Sequence, residues 1–115
     1  VNGDSKRTPA VAGAVTSAVI LLHRDDNVVV CRRAVAAGER IVIDGDGGEL
    51  IAASDVELGH KLARVRIAEY AKVIKYGAPI GSMTKAAEAG EWVHLHNMKS
   101  DYMSAHTRAA TGEKQ

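Results

Sequence analysis

One short phrase recurs along this chain and sets what it can fold into: an apolar residue, two variable positions, glycine, two variable positions, and a second apolar residue. It reads Val35-Ala36-Ala37-Gly38-Glu39-Arg40-Ile41, then Val56-Glu57-Leu58-Gly59-His60-Lys61-Leu62, then Ala87-Glu88-Ala89-Gly90-Glu91-Trp92-Val93. A fourth copy, Ile67-Ala68-Glu69-Tyr70-Ala71-Lys72-Val73, carries Tyr70 in place of the glycine. Each copy reads as a tight turn that delivers the chain into a strand, with the glycine taking a backbone angle that a side chain resists.

The strands launched in this way are expected at His60 to Arg66, Lys72 to Tyr76 and Trp92 to Asn97, with a shorter one from Ile80 to Lys85. Upstream, β-formers from Ala14 to Leu22 give a first strand, His23 to Asn27 a polar turn, and Val28 to Arg33 a second strand. Asp44-Gly45-Asp46-Gly47-Gly48 is the strongest turn signal, so Glu49 to Ala53 should return antiparallel to Ile41 to Asp44. That acidic cluster lacks the twelve-residue spacing and closing glutamate of an EF-hand loop, so calcium binding is not expected there. No segment carries a sustained helical stripe, and Ser54 to Ala68 is only a weak one. The class is mainly β, a compact domain of short bent hairpins.

With 115 residues the chain suits one domain, expected over 14–103, with loose tails at 1–13 and 104–115. Phenylalanine is absent, so the core must come from Val, Ile, Leu and Ala. A formal net charge of +1, with Lys and Arg dispersed, gives no basic patch of the kind a nucleic-acid binder shows. Cys31 is the only cysteine, which excludes an internal disulfide and suits a reducing compartment. Its valine neighbours make it a small buried hydrophobe. The apolar run from Ala10 to Leu22 is shorter than the roughly 20 residues of a membrane span and has no cleavage site after it, so a cytoplasmic protein that does not bind membranes is expected.

Chemistry concentrates in Gly90-Glu91-Trp92-Val93-His94-Leu95-His96-Asn97. If this is a strand, Trp92, His94 and His96 share one face, and Val93 and Leu95 anchor the other in the core. Two imidazoles can act as ligands or as an acid/base pair near neutral pH, but they fall short of a full metal site, and they are also ordinary residues for a solvated face. Asn97 can position a substrate hydroxyl or cap a turn. His60 and Lys61 can reach an anionic substrate or simply start an exposed strand. Lys75 can neutralise a carboxylate, while Tyr76, beside Gly77, is expected to pack rather than to react.

Three phrases in the same order, Gly59-His60-Lys61, Lys75-Tyr76-Gly77 followed by Ile80-Gly81, and Gly90 to Asn97, resemble the N-terminal domain or separate small subunit of the altronate dehydratase family. This family of hydro-lyases includes galactarate dehydratase and sulfolactate sulfo-lyase. The resemblance covers roughly Val15 to Tyr102, and Tyr70 departs from the glycine usual in its turn. It implies a SAF-type β-clip fold and a lyase acting on a sugar acid or related 2-hydroxy acid. This chain would then form one wall of a site completed by a large catalytic subunit, inactive without it and able to self-associate in isolation. A divalent metal ion, iron or manganese, would be held mainly by the large subunit. Under this resemblance His94 and His96 are the catalytic candidates, and His60, Lys61, Lys75 and Asn97 the substrate-binding ones. The alternative is a non-catalytic SAF-type module that binds sugar or protein.

Overall fold

The computed structural model describes residues 17–45 and 48–101. The expected tails, the first residues of the first strand, Asp46 and Gly47 of the acidic turn, and Tyr102 and Met103 lie outside them. The described elements are nine short strands: β1 Val19–Ile20, β2 Val28–Cys31, β3 Arg40–Ile43, β4 Gly48–Ile51, β5 Lys61–Ala63, β6 Lys72–Lys75, β7 Ala78–Met83, β8 Trp92–Val93 and β9 Met98–Ser100. All pairings are antiparallel. They form a four-stranded sheet in the order β1-β2-β5-β8, a three-stranded sheet β9-β7-β6, and the ribbon β3-β4. The mainly β expectation holds, and so does the hairpin across the acidic turn, where Ile41 faces Leu50 and Val42 faces Glu49.

The recurring phrase is a recurring piece of structure. Gly38, Gly59 and Gly90 have φ of 84°, 87° and 92°, and Tyr70 takes the same left-handed angle at 70°. In every copy the residue after this position donates its N–H back across the turn, as from Glu39 to Ala36 (2.9 Å) and from Ala71 to Ala68 (3.0 Å). The glycine or tyrosine N–H itself reaches a neighbouring segment: Gly38 to Ala52 (2.7 Å), Gly59 to Cys31 (2.9 Å), Tyr70 to Met83 (2.9 Å) and Gly90 to Ala63 (2.8 Å). The copies pair at their first residues, Val35 with Val56 and Ile67 with Ala87. Both apolar residues of every copy are buried, including Leu62, Val73 and Val93 at 0 % exposure.

Two cores flank the four-stranded sheet, as strand alternation requires. Val29, Cys31 and Leu62 face one, with Ile41, Ile43 and Leu50 of the ribbon. Val28, Ala63 and Val93 face the other, with Val73, Met83 and Met98 of the three-stranded sheet. Cys31 is the small buried hydrophobe expected, and burial raises the pKa of its thiol.

Several boundaries differ from the sequence reading. The strand expected over Trp92 to Asn97 ends at Val93, and His94 to Asn97 form a turn into β9. The strand expected over His60 to Arg66 shrinks to Lys61–Ala63, and the one expected from Ile80 begins earlier, at Ala78. The weak helical stripe over Ser54 to Ala68 resolves into two of the turn units with β5 between them. Among the described residues no helix is long and apolar enough to cross a membrane.

Candidate functional site

The turn after β8 exists because one side chain closes it. Asn97 accepts the N–H of His94 on Oδ1 (2.9 Å) and donates from Nδ2 to the carbonyl of Trp92 (3.0 Å). Its own N–H returns to the His94 carbonyl (3.0 Å). With the amide engaged in this way and the residue only 3 % exposed, Asn97 supports the turn from beneath and is not offered outward. Leu95 is the second correction: the turn lifts it into solvent at 69 % exposure, so of the two apolar residues only Val93 anchors this stretch in the core.

The turn nevertheless assembles the rings that strand alternation was expected to align. His94 stacks on Trp92 with centroids 5.4 Å apart and planes 10° from parallel, and His96 lies tilted over the same indole at 4.7 Å. His60, brought in by the turn unit preceding β5, meets Trp92 edge-on at 5.5 Å and His94 at 5.3 Å. The indole N–H of Trp92 donates to Nδ1 of His60 (3.3 Å), so a neutral His60 carries its proton on Nε2. Beside this cluster a depression of about 280 Å³ is lined by Asp55, Val56, Glu57, His60 and Trp92.

Lys61 points to the other face of the sheet from Trp92, because Leu62 is the residue that pairs with Trp92. It is half-buried, and burial first and the charge of Lys75 second hold its pKa below the usual lysine value. No carboxylate pairs with Lys61 or Lys75 among the described residues. His94 is the junction of the two groups. Burial lowers its pKa below the usual histidine value, with further lowering from Lys61, His60 and His96, which favours the neutral imidazole. Lys61 and Lys75 thus form a cationic wall that meets the ring cluster of His60, Trp92 and His96 at His94.

Tyr76 does not pack as the sequence suggested. It is 72 % exposed with φ of 60°, at the tip of the hairpin between β6 and β7. Sequence reading also passed over Asp26 and Asn27 as a mere polar turn. Both tie β6 to the rest of the fold, Asp26 through the amides of Tyr76 and Gly77 and Asn27 through Ile74 and Lys72. The available signal was an Asp-Asn pair directly before a β-branched run, a pairing suited to backbone capping.

Residues 17–101 match the altronate/galactarate dehydratase SAF domain, and the chain belongs to that family. It is 37% identical over 82 residues to the altronate dehydratase of Bacillus subtilis, and 40% identical over 82 residues to that of Escherichia coli. Each alignment takes in 71% of this chain and 16% of the relative, so the chain spans about a sixth of the length of those relatives. It is also 40% identical over 81 residues to the (2R)-sulfolactate sulfo-lyase subunit alpha of Chromohalobacter salexigens, covering 66% of this chain and 86% of that subunit. The relatives are thus named as lyases, and the last as one subunit of its enzyme.

Proposed function

We propose that this chain is the small, SAF-type part of a lyase acting on a sugar acid or related 2-hydroxy acid, and that it forms one wall of an active site completed by a large subunit. The observation that carries this reading is His94 stacked on Trp92 and in ring contact with His60, with the charge of Lys61 acting on it and Lys75 acting on Lys61 in turn. Elimination next to a carboxylate needs a base for the proton on the carbon bearing it, positive charge for the enediolate that develops, and an acid for the departing group. His94, favoured in its neutral form, takes the proton. Lys61 and Lys75 face the carboxylate and the growing negative charge, and His60 offers its Nε2–H toward a substrate oxygen. His96, the more exposed imidazole, hands a proton to the leaving hydroxyl, and the enol product becomes the keto acid by tautomerisation. The relative named as a sulfo-lyase has a different leaving group, and the same cationic wall suits that chemistry.

Among the described residues no group of three or more His, Cys, Asp or Glu side chains is placed to hold a metal ion. In this reading the divalent ion, iron or manganese, is held mainly by the large subunit.

The test is reconstitution. The large subunit is assayed with and without this chain on altronate, galactarate and (2R)-sulfolactate; activity on at least one of them that requires the chain is the expected result. Equal activity with the chain omitted overturns the reading. The depression beside His60 and Trp92 favours a second one, a non-catalytic sugar-binding module, since an indole edge flanked by Asp55 and Glu57 suits hydroxyl-rich ligands. Saturable sugar-acid binding by the chain with no effect on any lyase would favour that alternative.

A further inference from the structure

Lys75 and Ala78 are the last paired residues of β6 and β7, which leaves Tyr76 and Gly77 as a two-residue loop. Their φ values are 60° and 75°, and positive φ at both central positions is what the type I′ hairpin turn requires. Asn-Gly is the ordinary solution to that requirement. A tyrosine in the left-handed region is strained by roughly 1 kcal/mol or more, and with its ring exposed it recovers little through packing.

What holds the turn is Asp26, only 1 % exposed. Its Oδ2 accepts the N–H of Tyr76 (2.9 Å) and its Oδ1 that of Gly77 (2.7 Å). The turn bearing Asp26 is itself braced. Arg64 donates from Nε to the Asp26 carbonyl (2.8 Å) and from Nη2 to that of Arg24 (3.1 Å). The ring of His23 closes over Gly77, where a β-carbon would lie 3.0 Å from it. Among the described residues no side-chain cation pairs with the Asp26 carboxylate. A buried carboxylate is a costly way to fix an exposed turn that a single asparagine would stabilise. The group it fixes is Lys75, one residue from the turn and close enough to Lys61 for its charge to act there.

We propose that Asp26 is a positioning residue of the site, whose carboxylate locks the Tyr76–Gly77 turn and thereby keeps Lys75 beside Lys61 in the cationic wall. What Lys75 does there rests on the lyase reading; the geometry does not. Asp26 touches no substrate and acts through the backbone of the turn.

The experiment uses Asp26→Ala, alone and combined with Tyr76→Asn, which repairs the turn without the carboxylate. The first readout is the titration of Lys61 in the 115-residue chain, followed by carbon NMR of the lysine side chains. The second is the split between KM and kcat of the reconstituted lyase. Asp26→Ala should raise the Lys61 pKa toward the ordinary lysine value. It should also raise KM about tenfold, the scale of one weakened charge-assisted contact, with kcat changed less. Tyr76→Asn in the same background should restore both. A folded Asp26→Ala chain with wild-type Lys61 titration and KM overturns the proposal, as do losses that turn repair leaves unrestored. If Asp26→Ala does not fold, Asp26→Asn, which keeps one acceptor oxygen, is read by the same two criteria. If the wild-type chain supports no lyase activity, the lyase reading falls and the Lys61 titration alone decides the role of Asp26.

Discussion

Gly90 packs its α-carbon directly against the carbonyl oxygen of Ile51, so that a β-carbon at position 90 would overlap that oxygen. The contact is backbone on backbone, between the turn leading into β8 and the end of β4, and it is reinforced by the N–H of Ala53 donating to the Gly90 carbonyl (3.0 Å). Gly59, at the same place in its own copy of the turn, has open space where a β-carbon would go. Gly90→Ala should therefore cost about 3 kcal/mol or more, from overlap added to backbone strain. Gly59→Ala should cost only about 1–2 kcal/mol, from strain alone. Chemical denaturation of both variants checks this, and equal losses would show that the Ile51 contact is not what matters.

Tyr70 occupies the glycine position of its copy at φ of 70° with its ring 77 % exposed. Removing the side chain relieves left-handed strain of roughly 1–2 kcal/mol, offset by the greater backbone freedom of glycine when unfolded, about 0.5–1 kcal/mol. Tyr70→Gly should thus be neutral to about 1 kcal/mol stabilising in thermal unfolding. A clear loss would mean that the exposed ring has a packing role.

The amide of Asn97 closes the His94–Asn97 turn with two side-chain bonds to backbone. Asn97→Ala leaves the half-buried Trp92 carbonyl and His94 N–H without those partners and should cost about 1–3 kcal/mol. Because the same turn carries His94 and His96, the variant should also disturb their ring contacts with Trp92. The near-ultraviolet circular dichroism of Trp92 should then change, and an unaltered spectrum would show that the turn does not hold the rings.

Much of this fold could be read from the residues, and the reason lies in the turn units. A glycine between two apolar residues at fixed spacing encodes both the left-handed turn and the burial on either side, and it identified even the copy carrying Tyr70. The hairpin from Ile41 to Leu50 was legible for the same local reason. The bend after Val93 was not, because His-Leu-His alternates as a strand should, and only the local closure of the bend by the Asn97 side chain shows that it is a turn. His60 joins Trp92 through a contact spanning 32 residues, and Asp26 reaches Tyr76 across 50. Such pairings depend on the packing of separate units and leave no periodic trace.

The electrostatics of His94 set an expected pH dependence. Its folded-state pKa lies below the ordinary histidine value, by burial first and the neighbouring Lys61, His60 and His96 next. The folded state therefore binds that proton less readily than the unfolded chain. The stabilising contribution is intact above an unfolded pKa of roughly 6.5, and it is lost as pH falls from there through the lower folded value. Thermal unfolding at pH 8 and pH 5.5 should show a drop in Tm on acidification that is smaller in His94→Gln. An equal drop in both proteins would assign the acid sensitivity to other groups.

If His94 takes the proton at the reacting carbon of a site shared with a large subunit, the turnover of the reconstituted lyase should depend on it, as His94→Gln would show. Loss of a positioned base should lower kcat by about 10²–10⁴-fold, with the circular dichroism of the chain and its association with the large subunit unchanged. Turnover within twofold of wild type would mean that His94 is not the base.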